Sequence, residues 1–305
     1  MPTIITAPVL GSINNGLQTS FNTQLYRAES PHRLFCYDSS STGREEVYPR
    51  LDQMGGVREW LGDRIVQQLG TSQFTIRNRT FEQTIGVSRV DIEDDKYGMY
   101  GPVAAEMGEA ARVFPARLVS ELMLAGITTV AYDGQYFFDT DHPGWNASGA
   151  DVNNVSNYTS GSDPGWFLLD NSRVLKPFIV QTRVPFGLTT RFNLDDPNVF
   201  DRDEFLWGTR GRMNVGFGLW QLCYYSKAAF TQANLEAART AMAGIRRKDG
   251  SPMGIMADTV IVPTTLYTKA KSYFENGQVM NAGGTALEEN RIRAMFRPIE
   301  FPWLN

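Results

Sequence analysis

Residues 98–126 carry the most constraining pattern in this sequence of 305 residues, because their apolar side chains recur at the spacing of an α-helix. Pro102 suits the first turn of this helix, and Gly126 suits its end. The apolar stripe consists of Val103, Met107, Ala111, Phe114, Leu118, Leu122 and Ala125.

Residues 1–45 are rich in Ser, Thr, Asn and Gly, a composition typical of an arm and not of a core. Four apolar residues recur every four positions there and predict a short amphipathic helix that ends before Pro31: Ile13, Leu17, Phe21 and Leu25. This helix has too little apolar surface to be stable alone. We expect it to pack on another surface, which includes the option of another subunit.

Residues 44–95 are predicted to form an extended β arm. Two runs of alternating apolar and polar residues lie on either side of Asn78-Arg79 and predict a β-hairpin. The apolar members of these runs are Phe74, Ile76, Phe81, Ile85 and Val87. A solvated two-stranded ribbon is barely stable alone, so this arm also needs a partner surface.

The remainder of the chain predicts an α+β fold. Residues 164–226 contain three strand-like runs, WFLLD, KPFIVQTR and VGFGLWQLCYYS. Thr231 predicts the N-cap of a helix through residue 243, and Gly244 predicts its end. A buried strand is expected at 258–262 and a further helix at 264–275.

Composition excludes several classes of protein. The formal charge of −4 argues against a basic nucleic-acid binder. Two cysteines that lie far apart, Cys36 and Cys223, argue against a disulfide scaffold and against a zinc ribbon. We expect both to be buried. The first 16 residues lack the positive charge of a signal peptide, and no run approaches the length of a membrane span.

One string resembles an enzyme site. Asp139, Asp141 and His142 lie within four residues and could bind a metal or act as acid and base, which is the basis of a metal-dependent hydrolase hypothesis. However, the other histidine of the chain is His32 in the arm, and no second ligand motif has a recognised metal spacing. We therefore favour a turn stabilised by side-chain hydrogen bonds, with no catalytic residue, cofactor or metal.

Several longer strings, in order, resemble the Mu-like phage and prophage major head subunit (gpT) family. These strings are REWLGDRIVQ (58–67), FTIRNRTFEQTIGVSRVDIEDDKYGMYGP (74–102), YDGQYFFDTDHP (132–143), WFLLDNSRVLKPFIVQTR (166–183), NVFDRDEFLWGTRGRMNVGFGLWQLCYYSKA (198–228), LEAARTAMAG (235–244) and DTVIVP (258–263). The resemblance implies a Hong Kong 97 phage-type capsid fold. In that fold residues 1–45 are the N-terminal arm, 46–97 the extended β-hairpin and its flanks, 98–126 the spine helix of the peripheral domain, and 127–305 the axial domain with the remaining peripheral strands.

The resemblance also implies a function, that of a major capsid protein of a tailed phage or prophage. Its partners would be its own copies in hexamers, pentamers and an icosahedral shell, with a separate scaffold, a portal and a decoration protein. The shell would enclose double-stranded DNA without sequence-specific binding, would contact no membrane, and would be assembled in the bacterial cytoplasm to become part of the virion. A cellular encapsulin-like nanocompartment shell is the alternative with the same fold.

The namesake of this fold class joins its subunits covalently through a lysine on the extended hairpin. Residues 1–95 contain no lysine, and the first is Lys96. An arginine cannot replace it as a nucleophile because the guanidinium stays protonated. We therefore expect non-covalent contacts between subunits, and the candidate residues are Arg58, Glu59, Trp60, Asp63, Arg64, Arg77 and Arg79.

Overall fold

The computed structural model of this protein describes residues 6–49, 73–94, 98–280 and 285–305. The helices of these ranges are α1 (Ala7–Arg27), α2 (Arg89–Glu93), α3 (Tyr100–Ala125), α4 (Pro197–Arg202), α5 (Gln232–Ala243) and α6 (Thr264–Glu275). The strands are β1 (Tyr37–Ser40), β2 (Glu45–Pro49), β3 (Gln73–Arg77), β4 (Arg79–Ser88), β5 (His142–Trp145), β6 (Asp151–Val155), β7 (Tyr158–Thr159), β8 (Trp166–Leu169), β9 (Phe178–Arg191), β10 (Glu204–Phe217), β11 (Cys223–Ser226), β12 (Thr259–Val262), β13 (Gln278–Met280), β14 (Leu287–Glu289) and β15 (Arg297–Glu300).

Two larger sheets organise the described residues. A four-stranded sheet has the order β1-β9-β10-β4, in which β1 runs parallel to β9 and the other neighbours are antiparallel. A five-stranded mixed sheet has the order β15-β12-β8-β11-β7. Three two-stranded ribbons, β2-β3, β5-β6 and β13-β14, complete the set. The α+β fold class predicted from the sequence is confirmed.

The main core surrounds the five-stranded sheet. Every residue of β8, β11 and β12 is buried, so the three central strands of this sheet are covered on both faces, as their apolar runs predict. Helices α5 and α6 supply part of the cover through Leu235, Ala270 and Phe274. Helix α5 begins where the sequence predicts, because the Thr231 hydroxyl accepts the backbone N–H of Asn234. Both cysteines are buried and free, and burial raises the pKa of each thiol.

Helix α1 packs on helix α3 of the same chain and builds a second core. Leu10, Leu17 and Phe21 of α1 are buried together with Met107 and Ala111 of α3. The apolar stripe of the arm is therefore covered within the chain, and the option of another subunit is not needed for this helix. The close approach depends on Gly108, where a Cβ atom would lie 2.3 Å from the carbonyl oxygen of Phe21.

The buried face of α3 differs in part from the predicted stripe. Met107, Ala111 and Leu118 are buried as expected, but Val103 is 40% exposed. In the second half of the helix the residues that enter the main core are Ala116, Val119 and Met123. The reason is that α3 has two partners on different sides, α1 along its first half and the main core along its second. No single helical stripe can face both.

The predicted hairpin across Asn78-Arg79 is wrong. Strand β3 pairs with β2, whereas β4 pairs with β10 over its whole length. One residue, Asn78, separates β3 from β4, and a hairpin turn needs at least two. The Asn78 side chain is buried, and its Nδ2 donates to the Ser41 hydroxyl at 2.8 Å and to the Gly43 carbonyl at 3.1 Å. These bonds hold the chain where it passes from the ribbon into the four-stranded sheet.

We expect Gly108→Ala to lower the free energy of unfolding by about 1–3 kcal/mol, because its methyl group would meet backbone and the two helices would have to separate. Gly16→Ala on α1 is the matched control, since nothing lies within 4 Å of the position of its Cβ atom. That change should raise stability by up to about 1 kcal/mol through helix propensity. Denaturant unfolding followed by circular dichroism measures both, and equal effects would contradict the packing described here.

Candidate assembly surfaces

The string that resembles an enzyme site holds a buried histidine. His142 is inaccessible to solvent, its ring stacks on Trp220 at a centroid distance of 3.9 Å, and its Nδ1 lies 2.8 Å from Asp133 Oδ2. Its Nε2 lies 3.2 Å from Asn157 Oδ1. That oxygen also accepts the backbone N–H of Asp139 at 2.9 Å, so His142 Nε2 must be a donor. Both ring nitrogens of His142 therefore have hydrogen-bond partners, and these bonds connect the segments that contain Asp133, His142 and Asn157.

The two carboxylates of the string do not join His142 in a ligand set. Asp139 accepts the backbone N–H groups of Tyr136 and Thr140, which makes a local turn, and Asp141 is exposed. No group of three or more His, Cys, Asp or Glu side chains in the described ranges could hold a metal ion. Sequence reasoning missed Asp133 and Asn157, whose partnership with His142 depends on the folded path of the chain.

The base of the β2-β3 ribbon is anchored to the four-stranded sheet by buried polar groups. The Tyr48 hydroxyl donates to Gln181 Oε1 at 3.0 Å, and Gln181 Nε2 donates to the Ile76 carbonyl at 3.0 Å and to Asn78 Oδ1 at 2.9 Å. The Tyr48 ring stacks on Phe74 at 5.1 Å. Strands β2 and β3 flank residues 50–72 in the sequence, so the chain enters and leaves this segment at the anchored ribbon.

A turn before β2 is held in the same way. The N–H of Thr42, the hydroxyl of Ser41 and the N–H of Gly43 all donate to Glu46 Oε1. These hydrogen bonds, first that of Thr42, lower the pKa of the Glu46 carboxyl below its ordinary value.

The structure describes two of the seven residues predicted to contact other subunits. Arg77 and Arg79 are exposed, and the Arg79 guanidinium lies 5.1 Å from the centre of the Phe81 ring. The other five, Arg58, Glu59, Trp60, Asp63 and Arg64, lie outside the described residues.

Large apolar side chains are uncovered at several separate places. Phe200 is 88% exposed, Val174 82%, Tyr26 77% and Met256 69%. Clusters of exposed apolar surface mark contact sites in proteins, whereas a single exposed residue does not. Sequence periodicity did not find these residues, because it identifies the side of an element that faces the core and not the residues left outside it.

A cleft lies between the C-terminal part of α1, the middle of α3 and strands β1 and β9. Its lining includes the cations Arg33, Arg112 and Arg183. Burial and the neighbouring Arg33 lower the pKa of the Arg112 guanidinium. Among the described carboxylates only Asp38 lies within 4 Å of one of the three, at 3.9 Å from Arg33 Nε. The cleft is therefore electropositive.

His32 lies in the wall of this cleft and is buried. Its Nδ1 is 2.8 Å from the Ser30 hydroxyl. Burial first, and then the charges of Arg33 and Arg112, lower the pKa of its imidazole to about 4. The folded protein thus keeps His32 neutral at pH values where the unfolded chain binds a proton.

None of the described helices is long and apolar enough to cross a membrane.

The sequence is similar to the major head proteins of Mu-like phages and prophages. The sequence profile of the Mu-like prophage major head subunit gpT family matches residues 10–304. The chain is 35% identical over 280 residues to the Mu-like prophage FluMu major head subunit of Haemophilus influenzae, with 89% of this chain and 90% of that protein covered. It is 34% identical over 289 residues to the major capsid protein of Escherichia phage Mu, with 93% and 94% covered.

Solved structures agree with these sequence relatives. The chain resembles a protein of the procapsid of bacteriophage JBD30 with a TM-score of 0.81 and 37% identity, over 98% of this chain and 100% of that chain. For the JBD30 capsid the TM-score is 0.78 at 28% identity, over 99% and 100%.

We expect Asp133→Ala to destabilise the protein by about 1–3 kcal/mol, because it leaves the buried Nδ1 of His142 without its hydrogen-bond partner. Asp141→Ala is the matched control and should change stability by less than about 0.5 kcal/mol, since Asp141 is exposed. Denaturant unfolding at neutral pH measures both. An equally large loss from Asp141→Ala, or stoichiometric zinc or manganese in the purified protein, would contradict a purely structural role for the string.

His32 makes stability depend on pH in a defined window. The ordinary pKa of histidine is 6.5, and in the folded protein the pKa of His32 is about 4. Between these two pH values the unfolded chain binds a proton at His32 and the folded protein does not. The free energy of unfolding therefore falls as the pH falls through this window. The loss is on the order of 3 kcal/mol, at about 1.4 kcal/mol per pH unit. Above pH 6.5, His32 contributes no pH dependence. His32→Gln should remove this slope. Unfolding free energies measured from pH 7 to pH 4 would contradict the assignment if both proteins lost stability in parallel.

Proposed function

This chain belongs to the Mu-like prophage major head subunit family and is a major capsid protein of a tailed phage, and we propose that its copies assemble into hexamers and pentamers of an icosahedral shell around double-stranded DNA. The observation that carries the proposal is the match to the JBD30 procapsid protein along 98% of the chain. The family is structural, and the chain is not an enzyme. The Hong Kong 97 type of α+β fold predicted from the sequence is confirmed by the same relatives.

Assembly would cover large apolar side chains that the isolated subunit leaves exposed. Apolar side chains such as Phe200, Val174 and Tyr26 are left in water by the isolated subunit. Contacts that cover them need not each be strong, because a closed shell repeats every contact many times. A ring forms when a surface of one copy binds a different surface of the next.

We assign the parts of the chain by their place in such a shell. Residues 1–45 are the N-terminal arm, 46–97 the extended hairpin and its flanks, 98–126 the spine helix, and 127–305 the axial domain with the remaining peripheral strands. The β2-β3 pair, which flanks residues 50–72 in the sequence, is then assigned to the base of the extended hairpin.

The remaining partners are proposed from the chemistry and from a relative. A JBD30 capsid is decorated with minor capsid protein trimers, and we propose a decoration protein here as well, together with a scaffold and a portal. The negative formal charge suits a container that must not bind packed DNA tightly, because cationic contacts dominate affinity for phosphates. Assembly is assigned to the host cytoplasm and the product to the virion.

Electron microscopy of the purified protein, alone and with its scaffold, tests the proposed function. We expect capsomers or closed shells. A monomer at high concentration, with scaffold present and no particles in the micrographs, would contradict it. Particles isolated from producing cells separate this function from a cellular nanocompartment, the alternative with the same fold, which would have no portal vertex and no packaged DNA.

We also propose that the subunits are held without covalent links, by arginine–carboxylate pairs and Trp60 on the extended hairpin. On a denaturing gel, boiled and reduced particles should give a single band near 34.2 kDa. A ladder of multimers that survives this treatment would contradict the proposal.

The contribution of the hairpin can be measured by substitution. Arg64→Ala or Trp60→Ala should lower the denaturant concentration at which shells dissociate, because removing one partner of a buried pair can cost about 3–5 kcal/mol. Arg117→Ala is the matched control, since Arg117 is exposed and already pairs with Glu121 of its own chain at 3.1 Å. An equal effect of the control would show that the loss of any arginine, and not of a contact between subunits, is responsible.

A further inference from the structure

The end of the four-stranded sheet opposite the cleft is an acidic surface with an exposed aromatic ring. We name it the acidic tip and define it as residues 89–94 and 193–203, which are joined where the N–H of Arg89 donates to the Asp203 carbonyl at 2.8 Å. Its acidic residues are Asp91, Glu93, Asp94, Asp195, Asp196, Asp201 and Asp203, against the two cations Arg89 and Arg202.

The acidic tip holds Phe200 outward in a defined position. Helix α4 is fixed from the inside by Val199, which is buried in the second core, and by Asn198 Nδ2, which donates to the Glu204 carbonyl at 2.7 Å. The neighbouring Phe200 is 88% exposed as a result. Aromatic side chains, Phe among them, are enriched in the buried centres of protein interfaces.

The cleft beside the C-terminal part of α1 has the complementary chemistry. Its lining contains three arginines and one acidic residue, Asp38. The arginines are Arg33, Arg112 and Arg183. The apolar part of the lining comes from Leu25, Ala111, Pro115, Val180, Pro185, Phe186 and Met213. A cavity with apolar walls and excess positive charge suits an aromatic ring surrounded by carboxylates.

The acidic tip cannot reach the cleft of its own chain. The cleft is lined by Thr182 of β9, and the tip follows Arg191 at the other end of the same strand. Phe186, the lining residue of this strand closest to the tip, is five positions from Arg191, which is roughly 17 Å along a strand. Contact between the two surfaces therefore requires two copies of the chain and has the head-to-tail geometry that generates rings.

We propose that the acidic tip of one copy binds the electropositive cleft of another, with Phe200 seated among the apolar residues of the cleft. This contact deepens the proposed function and rests on it. Residues 50–72 of a neighbour are the less suitable occupant, because their three arginines and three acidic residues cancel and offer no excess of negative charge. Their presence in the cleft is instead an outcome of the test.

The test is a disulfide between copies. Phe200→Cys and Ser40→Cys are combined in one full-length chain, because Ser40 is exposed and lines the cleft, whereas the native Cys36 and Cys223 are buried. Shells are assembled, oxidised and run on a non-reducing denaturing gel. We expect a ladder of multimers from the double variant, none from either single variant, and none when Val174→Cys, which is equally exposed, replaces Phe200→Cys.

Defined outcomes would overturn the contact. Shells of normal appearance without a ladder, or a ladder of equal strength with Val174→Cys, would do so while leaving the proposed function intact. A ladder obtained with Trp60→Cys and Ser40→Cys but not with Phe200→Cys would place residues 50–72 in the cleft instead. Absence of shells from the unmodified chain would overturn the proposed function and this contact together.

Charge reversal provides a second measurement that does not depend on oxidation. Arg33→Glu in the cleft should reduce shell yield by about tenfold, and Asp201→Arg in the tip should do the same. The two changes together in one chain should recover yield, because the reversed charges again attract. Loss of yield that simply adds in the double variant would contradict direct contact between the two surfaces.

Discussion

Helix α3 is the element on which the rest of the structure depends, because among the described helices it is the long one that contributes buried residues to both cores. Its first half packs on α1 at backbone distance through Gly108, and its second half enters the main core through Val119 and Met123. This helix of 26 residues is continuous through Pro115, so a single element links the two cores. The acidic tip and the electropositive cleft both border the second core, and their spacing follows from this arrangement.

Buried polar groups provide the second constraint, and they explain why parts of the sequence resemble functional sites. His142 joins Asp133 and Asn157 beneath Trp220, and Gln181 with Asn78 ties the ribbon base to the sheet. A buried polar network stabilises one arrangement only when all its members are satisfied, since an unpaired group in the interior is costly. In a shell protein such networks fix the relative positions of the contact surfaces. This matters because a small displacement of one surface is repeated at every contact around a ring.

In the proposed assembly, the cores stabilise each subunit and the exposed surfaces join one subunit to the next. The cores complete themselves within the chain, as the packing of α1 on α3 shows. Two of the exposed surfaces differ in the sign of their charge, with carboxylates around Phe200 at the acidic tip and guanidiniums in the cleft. Two different surfaces that attract one another lead to head-to-tail association, and the like charges within each surface disfavour its pairing with itself.

The sequence by itself determined the elements whose signal is local. The long helix, the helix after Thr231, the buried strand before α6 and the α+β class follow from periodicity and capping, which depend on residues a few positions apart. The family strings added the capsid fold, and the missing lysines in residues 1–95 bear on how subunits are joined. Only the tertiary structure decided the partners: β3 pairs with β2 and not with β4, the buried face of α3 changes side along the helix, and His142 meets Asp133. The physical reason is that strand pairing, helix packing and the exposure of Phe200 depend on residues distant in sequence, and no local pattern records which of them meet.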